Sequence, residues 1–342
     1  MVPRMTYKIC ILEGDGIGHE VIPASIQVLK SLGLDAEYIP AKVGYGCYQE
    51  CGTSIPDKTL EICKQSDAVL FGAVTSPPNI PNYKSAIITL RRELQTFANL
   101  RPSYPFPSQI PRPIKKKVDL VIVRENSEDL YAGRERLENN GETAIAERVI
   151  TKKACERIIT YAFEYAKQHN RKKVTLIHKA NILRVSDGLF LKVFEEIAKK
   201  YPEIKANEAL VDAAAMRLIT HPENFDVIVT SNMFGDILSD EVAGLNGGLG
   251  LAASANIGPT HAMFEPVHGS APDIAGMNIA NPLASFYTCC MLLDWLKEED
   301  LSKKLQRVLE LTIKEEIFTP DLGGQYTTEQ VTNFVINKLQ FK

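Results

Sequence analysis

The sequence predicts an α/β protein built from two domains. Short runs of apolar and β-branched residues alternate with longer stretches that have the apolar periodicity of helices. The chain has 342 residues, and at roughly 150 residues per domain this length suggests two domains, each able to bury its own core. Two segments rich in proline or glycine interrupt the alternation and mark the expected passages between domains. A cleft between such domains is the expected place for a small-molecule site.

The alternating elements can be assigned in order along the chain. Strands are predicted over residues 9–12, 68–71, 118–123, 174–178 and 227–230. Helices are predicted to follow them over residues 19–32, 85–96, 151–168, 186–200 and 234–246. Thr151 is a typical N-cap, and the apolar residues Ile158 and Ala162 then fall on one helix face. Strands covered by helices are typical of α/β proteins.

Two breaks predict the domain boundaries. Five prolines fall at positions 102, 105, 107, 111 and 113, and this density argues against a helix or a central strand and predicts a connector. The second break is the glycine-rich run at residues 247–250. We therefore predict one domain from residues 1–98 together with 249–342, and a middle domain from residues 99–248.

Composition and charge exclude several classes of protein. A chain with 45% hydrophobic and 24% charged residues is typical of a folded, water-soluble protein. The net charge of −3 and the pI near 6.1 do not fit a dedicated nucleic-acid binder, and the lysines at 115–117 fit a solvated loop better. Seven cysteines without a C-x-x-C pair predict reduced thiols. No apolar stretch reaches the roughly 18 residues of a membrane span, and no signal-peptide core is present, so a cytoplasmic protein is expected.

The strongest local signal is the run N-M-F-G-D-I-L-S-D-E at residues 232–241, directly after a predicted strand. In a helix, Asp236 and Asp240 would lie on one face, where two carboxylates repel unless a cation lies between them. Such hard oxygen donors suit Mg²⁺ or Mn²⁺. The alternative is an acidic helix start stabilised by the macrodipole. Asp212, which follows the strand-like residues 207–211, is a candidate third carboxylate.

Arginines near predicted element ends are candidates for binding carboxylates. Arg91 lies within a predicted helix, Arg101 begins the proline-rich break, and Arg124 follows a predicted strand. Three arginines would suit a substrate with several carboxylates, although a lone arginine is usually a surface residue. Tyr131 and Lys179 are possible proton-transfer groups, with an interface tyrosine and a snorkelling lysine as the alternatives.

Two loops are candidates for binding a nucleotide. The first is G-D-G-I-G at residues 14–18, which lacks the last glycine of G-x-G-x-x-G, so a Rossmann assignment is weak. The second is F-E-P-V-H-G-S-A-P-D-I-A-G at residues 264–276. Its Asp273 would accept hydrogen bonds from a ribose diol and repel a 2′-phosphate, which favours NAD over NADP. A capped turn is the alternative for this second loop.

Together these residues resemble the metal-dependent β-decarboxylating dehydrogenases, which comprise isocitrate, homoisocitrate and 3-isopropylmalate dehydrogenases. The similarity runs from E-G-D-G-I-G-H-E near the N-terminus to T-P-D-L-G-G near the C-terminus, and it includes H-G-S-A-P-D-I-A-G and I-A-N-P. The resemblance implies the two-domain isopropylmalate/isocitrate dehydrogenase fold, which is not a Rossmann fold and has a discontinuous first domain that carries much of the NAD site. It also implies a homodimer, or a tetramer built from dimers, in which Lys179 and Asp212 reach the active site from a second subunit.

The resemblance assigns roles residue by residue. The catalytic pair would be Tyr131 and Lys179. The metal carboxylates would be Asp212, Asp236 and Asp240, holding Mg²⁺ or Mn²⁺. The cofactor-binding residues would be Asn181, Glu265, His268, Gly269, Ser270, Ala271, Asp273 and Asn281. The substrate-binding residues would be Thr75, Ser76, Lys84, Ser85, Ile87, Ile88, Arg91, Arg101 and Arg124. In the implied reaction Lys179 handles the hydroxyl proton as hydride leaves for NAD, and Tyr131 protonates the carbon after CO₂ departs.

The segment from residue 82 to Arg91 implies the substrate. Ser85 matches the isocitrate enzymes, but Ile87 stands where they carry asparagine, and a cationic Lys84 would favour a substrate arm that ends in carboxylate. The run R-E-N-S-E at residues 124–128 also resembles members that process tricarboxylates. These features resemble the homoisocitrate dehydrogenases of methanogens and imply NAD-dependent conversion of homoisocitrate to 2-oxoadipate and CO₂.

Three alternatives to homoisocitrate turnover stay open. The apolar Ile87 and Ile88 would also admit longer homologues or isopropylmalate, and isocitrate is the third substrate of the family. The alternative of a different class is a non-catalytic regulatory subunit. No motif supports binding to nucleic acid or to a membrane.

Overall fold

In a computed structural model of the chain, the described residues are 6–77, 79–80, 83–111 and 118–340. The strands are β1 (Tyr7–Gly14), β2 (Ala36–Pro40), β3 (Ala68–Ala73), β4 (Ala98–Ser103), β5 (Leu120–Glu125), β6 (Glu135–Glu138), β7 (Thr143–Ala146), β8 (Lys173–His178), β9 (Lys205–Leu210), β10 (Val227–Thr230), β11 (Ala253–Ile257) and β12 (Ala262–Pro266). The α-helices are α1 (Gly18–Ser31), α2 (Tyr45–Cys51), α3 (Asp57–Gln65), α4 (Ala86–Glu93), α5 (Lys152–Gln168), α6 (Ser186–Ala198), α7 (Val211–Thr220), α8 (Asn232–Leu245), α9 (Leu283–Trp295), α10 (Glu299–Lys314) and α11 (Thr328–Gln340). Position 82 and the lysines at 115–117 lie outside the described residues.

The chain divides into two compact units. The described residues of the first lie within 6–96, 106–111 and 247–340, and those of the second within 97–105 and 118–246. The stretch that begins at Phe106 groups with the first unit, whereas the sequence places it in the middle domain. The reason is aromatic packing, because the ring centroid of Phe106 lies 5.4 Å from that of Tyr287 on α9.

The first unit is a helix-covered sheet with strand order β2-β1-β3-β12-β11. Its neighbouring strands are parallel except for β11 and β12, which pair antiparallel. Every residue of β3 is buried, which is typical of a parallel strand covered on both faces. The carboxyl ends of β1 and β3 meet at one edge, where the backbone N–H of Thr75 donates to Asp15 Oδ2 over 2.8 Å.

The second unit contains a sheet with strand order β4-β5-β10-β8-β9. The strands β5, β10, β8 and β9 are parallel, and β4 pairs antiparallel with β5. Helices α7 and α8 cover a core that includes Ile122, Ile177 and Ile228. Because parallel strands end at the same edge, the residues that follow β5, β8 and β10 start from neighbouring positions. The antiparallel pair β6 and β7 forms a small separate sheet.

The expectation that the proline-rich stretch is a connector is wrong at its start, because β4 (Ala98–Ser103) includes Pro102. Pro102 lies opposite Val121 of β5, and the N–H of Val121 points the other way, donating to Asp226 O over 2.9 Å. This position of the β4–β5 ladder therefore requires no donor from residue 102.

Two further observations concern the cysteines and the helices. All seven cysteines are free thiols. None of the helices in the described ranges combines the length and the apolar character needed to span a bilayer.

Candidate active site

Five of the predicted site residues come together in the second unit around the Asp236 carboxylate. The Tyr131 hydroxyl donates to Asp236 Oδ2 over 2.6 Å. The guanidinium groups of Arg124 and Arg101 both pair with Asp236 Oδ1, the second over 3.2 Å. Arg101 also donates to Asp240 Oδ1 over 3.1 Å. The structure thus places two carboxylates, two guanidinium groups and a phenol within one network of hydrogen bonds. We call Tyr131, Arg101, Arg124, Asp236 and Asp240 the α8 cluster.

Local structure explains how the buried Arg124 is accommodated. Arg124 lies at the end of β5, is 1% exposed, and donates through Nε and Nη2 to Asn232 Oδ1 over 2.9 and 2.7 Å. A buried guanidinium is tolerated only when it is paired, and Asn232 and Asp236 on α8 supply the partners. A Cβ atom at Gly235 would lie 2.6 Å from Arg124 Cγ, so glycine is required where the arginine crosses the helix.

The two carboxylates of α8 have the chemistry of a divalent-cation site. Burial raises the pKa of Asp240, and repulsion from Asp236 adds to this effect while Arg101 opposes it. A cation beside both groups would offset that repulsion, and hard oxygen donors fit Mg²⁺ or Mn²⁺. Within the described ranges, no three or more His, Cys, Asp and Glu side chains form a group that could hold a metal.

Lys179 and Asp212 form a second, separate pair in the same unit. Lys179 directly follows β8, and its Nζ donates to Asp212 Oδ1 over 2.6 Å. This hydrogen bond lowers the pKa of Asp212. The sequence places Asp212 after a strand over residues 207–211, but β9 ends at Leu210 and α7 begins at Val211. A carboxylate in the first helical turn is favoured by the macrodipole, which explains the earlier helix start.

Through two buried aspartates, Arg148 connects the backbone beside Tyr131 with the backbone of Lys179. Arg148 is not among the site residues predicted from the sequence. Its Nε donates to Asp129 Oδ1 over 2.6 Å, and its Nη1 pairs with Asp187. Asp129 accepts the backbone N–H of Leu130, next to Tyr131, and Asp187 accepts the backbone N–H of Lys179 over 2.6 Å. We call Arg148, Asp129 and Asp187 the Arg148 triad.

The Arg148 triad also anchors the start of α8. Arg148 Nη2 donates to Ser231 Oγ over 2.8 Å, and its guanidinium lies 4.9 Å from the ring centroid of Phe234. The Met233 N–H donates to Asp129 Oδ2 over 3.0 Å. Arg148 lies far in sequence from Asp129, Asp187 and Ser231, so local spacing could not have predicted these contacts. A weak local indication was Asp129, which directly precedes the turn Leu130–Ala132.

In the first unit, Arg91 pairs with a residue predicted to bind the cofactor. Arg91 Nη2 donates to Glu265 Oε1 over 3.1 Å, and both side chains are about 10% exposed. Asn256 donates to the same oxygen over 2.8 Å. The Nε of Arg91 is buried without a hydrogen-bond partner among the described residues, so it can still donate to a ligand.

The predicted substrate segment is less tightly held. Ser76 and Lys84 are exposed, and no ion pair of Lys84 is found among the described residues. Ser85 occupies the N-cap position of α4. Ile87 packs against the core of the first unit, whereas Ile88 is partly exposed and lies outside that core cluster. Of the side chains in this segment, those of Lys84 and Ile88 are therefore the more accessible to a ligand.

The loop after β12 lies against the glycine loop that follows β1. The Ile17 N–H donates to Ser270 O over 2.9 Å, and Ser270 Oγ lies 2.7 Å from Thr75 Oγ1. A Cβ atom at Gly16 would lie 2.0 Å from Ser270 O, and Gly16 has a φ of +58°. The glycine spacing that failed the dinucleotide pattern therefore serves close packing between these loops.

The remaining predicted cofactor residues lie in different environments. Burial lowers the pKa of His268, whose Nε2 is buried with no hydrogen-bond partner among the described residues. Such an orphaned atom in this loop fits a site that a polar ligand completes. Gly269 and Asp273 are exposed, Ala271 has a φ of +38°, and Asn281 donates to Asp321 over 3.0 Å. Asn181 is exposed in the second unit.

Comparison with known proteins adds independent information. The family model described as "Isocitrate/isopropylmalate dehydrogenase" matches residues 8–335. The chain is 53% identical to homoisocitrate dehydrogenase of Methanocaldococcus jannaschii, covering 98% of each chain. It is 47% identical to 3-isopropylmalate dehydrogenase of Methanothermobacter thermautotrophicus, covering 97% of this chain and 98% of the relative. The crystal structure of isocitrate dehydrogenase from Methylococcus capsulatus superimposes with a TM-score of 0.94 at 41% identity, covering 98% of this chain and 99% of the other.

Proposed function

The chain belongs to the isocitrate/isopropylmalate dehydrogenase family, and from that premise we propose that it catalyses the NAD-dependent oxidative decarboxylation of homoisocitrate to 2-oxoadipate and CO₂. The observation that favours a tricarboxylate over 3-isopropylmalate is Lys84, an exposed cation without an ion pair among the described residues, seven positions before Arg91. Ile87, where isocitrate enzymes carry asparagine, favours homoisocitrate over isocitrate. Homoisocitrate carries a third carboxylate on its variable arm, and a lysine can bind that group. The similarity to a homoisocitrate dehydrogenase of Methanocaldococcus jannaschii supports the same choice.

The chain's own residues would bind and protonate the substrate. Arg91, Arg101 and Arg124 would bind the malate-like carboxylates, and the α8 cluster already presents Arg101 and Arg124 paired to an anion. Tyr131 would donate its phenol proton to the carbon left by decarboxylation, and its hydroxyl is held by Asp236. Lys179, held by Asp187 and Asp212, would take the proton of the substrate hydroxyl.

The α8 carboxylates and the loop after β12 would hold the cofactors. Asp236 and Asp240, joined by Asp212 of a second subunit, would bind Mg²⁺ or Mn²⁺. The cation would act as a Lewis acid on the substrate oxygens, and NAD would accept the hydride. The loop with His268, Gly269, Ser270 and Ala271, together with Glu265 and Asn281, would bind NAD. The exposed Asp273 would repel a 2′-phosphate and so disfavour NADP.

A homodimer would bring the two groups of the second unit together across subunits. Large apolar side chains are exposed on α7 and α8, where a soluble monomer would expose few. These residues are Met216 (58%), Ile219 (47%), Met233 (38%) and Ile237 (55%). Such a surface supports a subunit interface formed beside Asp212 and Asp236, the arrangement in which one chain supplies Lys179 to its partner's site.

The decisive experiment compares substrates side by side. Formation of NADH is measured with Mg²⁺ and homoisocitrate, isocitrate or 3-isopropylmalate, and the values of kcat/KM are compared. We expect homoisocitrate to give the highest value. A higher value for 3-isopropylmalate would favour the role of the partly exposed Ile88 over that of Lys84. Absence of turnover with all three substrates would favour a regulatory subunit.

A further inference from the structure

Two thiols on α2 lie in contact at the surface of the first unit. The Sγ atoms of Cys47 and Cys51 are 3.4 Å apart, and Cys51 also donates to Cys47 O over 2.9 Å. Cys51 is exposed, whereas Cys47 is 5% exposed. The thiols of Cys10 and Cys63 are also close, with Sγ atoms 3.6 Å apart, but both are fully buried. The α2 pair is therefore the more accessible of these two contacts.

The helix that carries these thiols also anchors the start of the predicted substrate segment. The backbone N–H groups of Tyr45 and Gly46 donate to the Asp15 carboxylate over 2.8 and 2.9 Å. The same carboxylate accepts the Thr75 N–H over 2.8 Å. Asp15 thus ties the first turn of α2 to the segment that follows β3.

A second set of contacts ties α2 to the residues beside Lys84. The ring of Tyr48 packs edge-on against that of Tyr83, with centroids 5.2 Å apart. Ser54, which lies just after α2, donates through Oγ to Lys84 O over 2.5 Å. Tyr48 lies between the two cysteines in sequence, so a change in the backbone of α2 would reach Tyr83 directly.

We propose that Cys47 and Cys51 form an oxidation-sensitive dithiol whose disulfide weakens substrate binding. The oxidant class is a small disulfide such as oxidised glutathione. The Cys51 thiolate attacks it and forms a mixed disulfide, which releases one glutathione thiolate. The Cys47 thiolate then attacks Cys51 Sγ and releases the second glutathione. Two protein thiols are oxidised, one small disulfide is reduced to two thiols, and the two protein protons end on the released thiols.

Exposure and helix geometry set the order and the consequence of these steps. Burial, with the neighbouring Cys51 thiol, raises the pKa of Cys47 to about 11, so the exposed Cys51 reacts first. Residues four apart on a helix have Cβ atoms about 5–6 Å apart, whereas a disulfide requires about 3.5–4.5 Å. Closing the bond must therefore distort α2, and the contacts to Asp15 and Tyr83 pass that distortion to Thr75 and Lys84.

The experiment oxidises the purified full-length enzyme with glutathione disulfide and maps disulfides by mass spectrometry after alkylation. We expect a Cys47–Cys51 disulfide, a KM for the preferred substrate raised by about fivefold or more with little change in kcat, and reversal by dithiothreitol. Cys51→Ser should lose the response, and Cys63→Ala should keep it. A missing disulfide, an unchanged KM in the oxidised enzyme, or an equal response of Cys51→Ser would overturn the proposal.

A second readout separates this proposal from the proposed function, on which only the KM measurement rests. Amide hydrogen exchange should become faster at Tyr45, Gly46 and Thr75 on oxidation, because all three N–H groups donate to the Asp15 carboxylate. Unchanged exchange at all three amides would contradict the proposed coupling between α2 and the residues that follow β3. Absence of turnover with every substrate would sink the proposed function alone, since mapping and exchange need no activity.

Discussion

The buried charges of the second unit and the segment around Lys84 in the first unit are held by different physical means. In the second unit, charged side chains such as Arg124, Asp129 and Asp187 are almost fully buried, and each is paired with an opposite charge. In the first unit, Lys84 is exposed, and its segment is held by a hydrogen bond from Ser54 Oγ to Lys84 O and by packing of the Tyr83 ring against Tyr48. Buried pairs are costly to break, whereas exposed side chains can change at little cost in stability. Under the proposed function, changes at Lys84 should therefore alter substrate preference at a lower cost in stability than changes at the buried ion pairs.

The largest effect should follow from breaking the Arg148 triad. Arg148→Met leaves two buried carboxylates without their cation, and we expect a loss of about 3–5 kcal/mol in the free energy of unfolding. Chemical denaturation measures this value. Arg136→Met is the matched control, because Arg136 pairs with Glu138 and Glu147 at about half exposure and should cost less than about 1 kcal/mol. Equal losses in both variants would contradict the contrast between buried and exposed pairs.

Removing the charge at the centre of the α8 cluster should chiefly affect activity. Asp236→Asn takes the anionic partner from Arg124 and Arg101 and the charged acceptor from Tyr131, so kcat/KM should fall by about 10²–10³-fold. Steady-state kinetics with the preferred substrate measures the change. Asp119→Asn, which removes an exposed partner of Arg171, should leave kcat/KM nearly unchanged. Activity of Asp236→Asn within a few-fold of the unmodified enzyme would remove Asp236 from the proposed site.

The first unit offers a smaller and more selective effect. Lys84→Met should raise the KM for homoisocitrate about tenfold, because one charge-assisted contact is lost, and it should leave the KM for 3-isopropylmalate unchanged. Thermal unfolding should be unaffected because the side chain is exposed. Lys58→Met on α3 is the control for loss of an exposed lysine charge. A similar loss for both substrates would show that Lys84 does not read the distal carboxylate.

The smallest expected effect on the folded protein is a pKa shift at the Lys179–Asp212 pair of the second unit, in which the Asp212 carboxylate is 66% exposed. Because Lys179 lowers the pKa of Asp212, Lys179→Met should return that pKa toward 3.8. The sign follows from linkage, since a carboxyl with a lowered folded-state pKa contributes stability above its unfolded pKa and loses it as the pH falls through the folded value. Carboxyl NMR titration of the metal-free protein measures the shift. An unchanged Asp212 pKa would contradict the pairing of Lys179 with Asp212.

Predictions based on local pattern agree with the structure, and those based on single residue types agree less well. The predicted helix over residues 151–168 corresponds to α5, with Thr151 accepting the Ala154 N–H as an N-cap. The predicted strand over residues 227–230 is β10. The number of prolines was a poor guide at β4. A proline destabilises a strand only where the neighbouring strand requires a hydrogen bond from its backbone nitrogen, and Pro102 occupies a position without that requirement. The start of α7 was missed because one residue at a strand end has no periodicity of its own.

The sequence by itself determined the alternation of strands and helices, the family, and the identity of the charged residues in the α8 cluster. The alternation depends on periodicity, and the family on short motifs whose residues lie within a few positions of one another. The α8 cluster spans residues 101 to 240, and the family resemblance, not the spacing, implied that its members share one site. Only the tertiary structure decided that Arg148 binds Asp129 and Asp187, that Arg91 binds Glu265, and that the helix with Cys47 and Cys51 packs through Tyr48 against Tyr83, beside Lys84. These contacts depend on the order of the strands in the sheet and on which buried charges must be paired, and the spacing of residues along the chain predicts neither.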